Sequence, residues 1–93
     1  TALQAAAEGG HLDVVERLLQ AKANINARVA EGDRRTALQA AAGGGHLAVV
    51  ERLLQEKADV NAPGKWEETA LQAAARSGHL AIVEYLRKAG AVE

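Results

Sequence analysis

Three histidines, one serine and several glycine clusters carry whatever chemistry this chain can perform. His11, His46 and His79 each follow a glycine and precede a leucine. Histidine is the commonest transition-metal ligand and titrates near neutral pH, so a metal centre or a general base has to be considered first. The spacing argues against both. One histidine every 35 or 33 residues places neighbours on successive packed elements, about 8 to 10 Å apart, whereas a zinc ion needs several ligands at about 2 Å. The rings are better read as structural, with a ring nitrogen fixing the turn between two helices. Ser77, the sole serine, stands beside Gly78 with His79 two residues on. Sequence adjacency supplies neither a positioned base nor an orienting acid nor an oxyanion hole. Gly9-Gly10 and Gly43 to Gly45 lack the preceding strand and the G-K-[ST] ending of a phosphate-binding loop, and read as turns. With no cysteine there is no thiolate nucleophile, disulfide framework or thiolate metal site. No catalytic residue, cofactor or metal is expected, and the chain is not expected to be an enzyme.

What must position these residues is a repeat. T-A-L-Q-A-A-A recurs at Thr1, Thr36 and Thr69, and G-H-L at Gly10, Gly45 and Gly78, with offsets of 35 and then 33 residues. Residues 1 to 27 laid over 36 to 62 differ at only five places, 8/43, 13/48, 21/56, 24/59 and 25/60. Units of about 33 residues signify stacked supersecondary elements, none of which buries its apolar surface alone. Each unit opens with Thr and, three residues later, Gln: Thr1 with Gln4, Thr36 with Gln39, Thr69 with Gln72. That is a capping box at a helix N-terminus. Alanines follow, combining high helix propensity with a small side chain that allows close helix approach. Glycines then break the helix at Gly9-Gly10, Gly43 to Gly45 and Ser77-Gly78. A second helix is predicted over residues 12–19, 47–54 and 80–87, with apolar rows at Leu12, Val15, Leu19 and at Val14, Leu18. Burial on more than one side fits a helix held between two neighbours. Glu16, Arg17, Glu51 and Arg52 form its solvated strip. Polar connections, Arg28 to Arg35 and Pro63 to Glu68, separate the units.

Size and composition agree with one small domain over residues 1–93, divided into repeats at 1–35, 36–68 and 69–93. The 93 residues are 48% hydrophobic and 25% charged, neither a disordered nor a membrane-spanning composition. Trp66 and Tyr85 are the only aromatics, which disfavours a deep aromatic-lined ligand pocket. A net charge of -1 and pI near 6.3 offer no general attraction to polyanions, so neither nucleic acid nor a membrane surface is the expected partner. No leader or spanning run is evident, and cysteine usage permits a reducing interior, so the cytoplasm is the expected compartment. The start in mid-motif at Thr1-Ala2-Leu3 leads us to expect an excised or engineered segment.

The pattern T-A-L-Q-A-A-A-x-x-G-H-L-x-V-V-E-x-L-L-x-x-x-A-x-V/I-N-A resembles the ankyrin repeat family over nearly the whole chain. The resemblance implies an all-α solenoid of three helix-turn-helix units with connecting fingers projecting sideways, a concave face, and a role in protein binding without catalysis. The T-A-L-Q-A-A-A spelling is also similar to ankyrin arrays in large fungal signalling receptors. Three departures stand out. Ala2, Ala37 and Ala70 replace the family's helix-opening proline and Gln4, Gln39 and Gln72 its histidine, a change the capping box sustains. Lys22 and Lys57 occupy the position where the family ends its second helix with glycine, retained only as Gly90. The first finger, Arg28 to Arg35, is two residues longer than the second, which a loop tolerates and which lengthens its reach. At the ends, Arg87 replaces Leu19 and Leu54 as a polar outer cap. Leu3, Val14, Val15, Leu18 and Leu19 of the first repeat are spelled as in an internal unit, so weak self-association through exposed apolar surface there is expected.

Specificity for a protein partner has to lie where the repeats vary. On the first helix and its turn those positions are Glu8, Gly43 and Arg76, followed by Gly9, Gly44 and Ser77, which in the ankyrin pattern face the concave surface. The fingers add Arg28, Glu31, Asp33, Arg34, Arg35, Lys65, Trp66, Glu67 and Glu68. Trp66 is the strongest single candidate, because a large flat side chain buries much area with few rotors; its structural alternative is cover for the adjacent finger. For Arg28, Arg34 and Arg35 the alternative is solvated charge balanced by Glu31 and Asp33. A designed scaffold with no natural partner is the competing reading, and the small Gly43, Gly44 and Ser77 on the recognition side favour it.

Overall fold

The computed structural model describes residues 1–27, 35–64 and 67–92. Within them the chain forms six α-helices: α1 (Ala2–Glu8), α2 (Leu12–Gln20), α3 (Ala37–Gly44), α4 (Leu47–Gln55), α5 (Ala70–Arg76) and α6 (Leu80–Lys88). All three capping boxes are formed. Thr36 Oγ1 accepts from the Gln39 amide at 3.3 Å while Gln39 Oε1 accepts from the Thr36 amide at 2.8 Å, and Thr1 with Gln4 and Thr69 with Gln72 repeat the arrangement. Helices of seven to nine residues are too short to persist alone in water, so stacking must hold them. The α3 helix packs between α1 and α5, while α4 lies between α2 and α6. Two layers result, an inner one of first helices and an outer one of second helices.

Small side chains make the inner layer close. Ala7, Ala41, Ala42 and Ala74 are completely buried, and Leu38, Val49, Val50, Leu53 and Leu86 fill the space between the layers. Polar groups then tie one unit to the next. Gln39 Nε2 donates to the carbonyls of Ala62 and Glu68, and Gln4 Nε2 donates to those of Ala27, at 2.9 Å, and Arg35. The same glutamine therefore caps its helix and clamps both ends of the connection that follows, a role the capping-box reading did not contain. Asn26 Oδ1 accepts from the Asp59 amide at 2.8 Å, and Asn61 Oδ1 accepts from the Val92 amide at 2.9 Å, joining the outer ends of successive units.

Each helix closes with a paired backbone motif. At the end of α2 the Lys22 amide donates to Leu19 O and the Ala23 amide to Leu18 O; Lys57 and Ala58 repeat this after α4, Gly90 and Ala91 after α6. The motif requires a left-handed residue. Lys22 and Lys57 take it at φ 65° and 68°, where the third unit has Gly90 at φ 101°. The glycines after the first helices divide differently from the expectation. Helix α3 continues through Gly43 and Gly44, and only Gly10, Gly45 and Gly78 have positive φ in these turns, because one left-handed residue suffices to close the motif. The first repeat's apolar residues also divide. Leu3 and Val15 point into the core at 3% and 0% exposure, Leu18 and Leu19 are half-buried, and Val14 is 43% exposed. The core between α1, α2 and the second unit claims the first two, so the open apolar face is smaller than its five-residue spelling implied.

Removing the left-handed Cβ strain is worth about 1 kcal/mol per site. Lys22→Gly together with Lys57→Gly is expected to raise Tm by several degrees in a calorimetric melt; an unchanged or lower Tm contradicts the cap assignment. Gln39→Ala strands buried carbonyls and is expected to cost about 3 kcal/mol, against about 1 kcal/mol for Gln72→Ala, which loses only its capping contacts. Equal losses in urea titrations of the two variants refute the clamp.

Candidate functional site

The repeated frame places positions 8, 43 and 76 at the last turn of α1, α3 and α5. Glu8 and Arg76 are exposed and Gly43 is half-buried. A Cβ added at Gly43 would sit 3.8 Å from the Ala73 Cβ, an ordinary contact, so glycine at this position is not demanded by packing. Gly9, Gly44 and Ser77 follow in the exposed turn.

The histidines stitch this row together. His46 Nε2 donates to the Glu8 carbonyl at 2.9 Å, and His79 Nε2 donates to the Gly43 carbonyl at 3.2 Å. A carbonyl only accepts, which assigns the proton to Nε2 in both rings. The sequence reading fixed each ring to its own inter-helix turn; the structure extends it one unit back, to the helix end of the preceding repeat. Glycines clear the way. A Cβ on Gly10 would lie 2.5 Å from His46 Nδ1, and one on Gly44 2.9 Å from His46 Cδ2, so the ring passes between the turns of two units. His11 is exposed, and its ring makes no hydrogen bond among the described residues. No group of three His, Asp or Glu side chains there could hold a metal ion.

Charges at the variable positions pair across the row. Glu8 meets Arg35 Nη2 at 3.4 Å. Glu68 receives a fork from Arg76, Nε to Oε2 at 2.8 Å and Nη2 to Oε1 at 3.0 Å. The Arg76 hydrogen bonds hold the Glu68 carboxyl below its ordinary range, against a smaller opposing effect of partial burial, and the Arg76 guanidinium is raised by the same contact. Glu67 is exposed at φ 60°. Gly43 and Gly44 thus form a low floor between two ion pairs. Of the remaining candidates, Arg28, Glu31, Asp33, Arg34, Lys65 and Trp66 lie outside the described residues. Sequence reasoning balanced Arg35 against Glu31 and Asp33 and left Arg76 without a partner; Glu8 comes within reach of Arg35 through the packing of α1 against α3, whereas Glu68 flanks the start of α5, whose last residue is Arg76.

Two expectations follow. His46→Ala and His79→Ala should each lower unfolding free energy by about 1 kcal/mol, while His11→Ala should stay within about 0.5 kcal/mol; denaturant titrations with equal losses for all three would contradict the inter-repeat bonds. Because the folded-state pKa of Glu68 is depressed, its contribution to stability is present above the ordinary glutamate range and is lost as pH falls through the depressed value. The Tm advantage of the wild type over Glu68→Gln should accordingly shrink on acidification from neutral pH; an advantage constant down to strongly acid pH would reject the pairing.

The family description Ankyrin repeats, in three copies, matches residues 2–92. A comparison with curated proteins finds no match. Among the described residues no helix is long and apolar enough to cross a membrane. Ankyrin repeats are generally protein–protein interaction modules and typically lack catalysis. Three capping boxes, six stacked helices and a matching span of nearly the full length place this chain in the ankyrin repeat family.

Proposed function

We propose that this chain, as one domain of three repeats bounded at 1–35, 36–68 and 69–93, holds a protein partner against its concave row and fingers and catalyses no reaction. The observation that carries the reading is the variation at positions 8, 43 and 76, Glu, Gly and Arg, within an otherwise repeated frame. Framework bonds along this row end on backbone carbonyls, leaving those side chains free to vary without loss of stability. Arg35, Glu68 and Arg76 flank a floor of small residues on which a partner's side chains fit; the proposed contact set also includes Glu67 and, by their place in the sequence, Lys65, Trp66, Arg28, Glu31, Asp33 and Arg34. The reading includes weak association of copies through the first repeat, supported by the exposed Val14. The compartment proposed with it is the cytoplasm, which a cysteine-free sequence permits.

A designed scaffold without a natural partner is the second reading, favoured by the near-identity of residues 1–27 and 36–62. Pull-down with the wild type against Trp66→Ala plus Arg76→Ala separates the two. Recognition predicts one specific band that the double variant loses. Absence of any band with the wild type, accompanied by a very high Tm, favours the scaffold.

A further inference from the structure

Helix α3 ends on two glycines that the packing treats differently. A Cβ on Gly44 would lie 2.9 Å from His46 Cδ2 and 3.1 Å from the Glu8 carbonyl oxygen, so the His46 bond requires glycine there. Among the described residues, a Cβ on Gly43 would meet only the Ala73 Cβ, at 3.8 Å. Gly43 has no positive φ either. Glycine is the weakest helix former after proline, and at position 43 neither backbone conformation nor close approach within the chain calls for it.

The charges beside this position follow the repeat. Arg35 and Glu68 occupy the same place in their units, one residue before the capping threonines Thr36 and Thr69. Arg35 reaches back one unit to Glu8, and Glu68 reaches forward within its own unit to Arg76. A side chain at this place therefore reaches the helix-end position on either side of it. Gly43 follows Arg35 at the same separation as Arg76 follows Glu68, and it stands to Glu68 as Glu8 stands to Arg35. The row thus runs Glu8, Arg35, Gly43, Glu68, Arg76, alternating in sign with one place left without a side chain. A group that fills the gap meets a guanidinium on one side and a carboxylate on the other.

This environment discriminates among side chains. A carboxylate in the gap pairs with Arg35 and is set against Glu68; an ammonium does the reverse, and in each case the like charge opposes binding. A carboxamide suits both neighbours, because its oxygen accepts and its NH2 donates. Both ion pairs survive its arrival, since a guanidinium carries more N–H donors and a carboxylate more lone pairs than the existing contacts consume. We propose that Gly43 is a specificity-determining position, a socket for an asparagine or glutamine side chain of a protein partner. The carboxamide lies over Gly43 with its oxygen toward Arg35 and its NH2 toward Glu68. The inference rests on the partner-binding reading above and names the side chain that the centre of the row selects.

Peptides panned on the wild type from a random phage-displayed library provide the probe. Synthetic copies of the enriched peptides, titrated calorimetrically, should share an asparagine or glutamine whose replacement by leucine, glutamate or lysine weakens binding about ten-fold. Gly43→Gln places the chain's own carboxamide in the socket and should weaken the same peptides at least as much. Gly43→Ala and Gly43→Gln should both keep or raise Tm, because alanine and glutamine are better helix formers than glycine. Glu68→Lys leaves positive charge on both sides of the gap and should turn the preference toward the glutamate-substituted peptides; circular dichroism verifies that this variant folds. Peptides that bind Gly43→Gln as tightly as wild type overturn the socket. So do enriched sequences with no shared carboxamide, a Glu68→Lys protein that keeps the carboxamide preference, or a lower Tm for Gly43→Ala. If such peptides are nevertheless lost on Trp66→Ala plus Arg76→Ala, partner binding by the row stands without the socket. A library that yields no binder overturns the socket as well, and the pull-down then decides the partner-binding reading on its own.

Discussion

Short helices that cannot stand alone impose the constraint from which everything else in this molecule follows. Each unit contributes helices of seven to nine residues, below the length at which an isolated helix persists. Stability must come from contact between units, and the alanine-rich first helices permit a close inner layer in which Ala41, Ala42 and Ala74 are wholly buried. Close approach brings backbone polar groups out of water as well, and these need partners. The Gln39 amide supplies them: its oxygen accepts from the Thr36 amide while its nitrogen donates to Ala62 and Glu68. One side chain thereby joins the start of a helix to both ends of a connection, which explains how glutamine serves at a site where the family uses histidine.

A common property of the bonds between units is that most of them address backbone. Gln4 and Gln39, His46 and His79, Asn26 and Asn61 all reach carbonyls or amides of a neighbouring segment. Backbone groups are present whatever the residue type. The carbonyl that His46 uses belongs to Glu8 and the one that His79 uses belongs to Gly43, yet the geometry is the same. Side chains at these positions can change while the stitching persists, which is the physical basis for separating the framework from the binding surface proposed here.

The charges on that surface are organised rather than scattered. Arg35 with Glu8 and Arg76 with Glu68 bracket the Gly43-Gly44 floor. Exposed pairs of this kind contribute little to stability. The proposal of a protein partner rather than a polyanion is consistent with this row of both signs and with the net charge of -1.

Local physics made much of the architecture legible from residue order alone. Thr followed by Gln marks helix starts, a glycine before histidine marks the turn, and the left-handed closure at Lys22 and Lys57 follows from their alignment with Gly90; each depends on neighbours within one turn of chain. The recurrence of about 33 residues then required stacking. Tertiary structure alone decided the rest. Leu3 and Val15 are core while Val14 is exposed, because the stacking direction selects which stripe of an amphipathic helix is covered. The carbonyls that His46 and His79 reach and the partner of Arg35 lie 27 to 38 positions away. Pattern within one unit has no access to such pairs, since they exist only once neighbouring units are laid side by side.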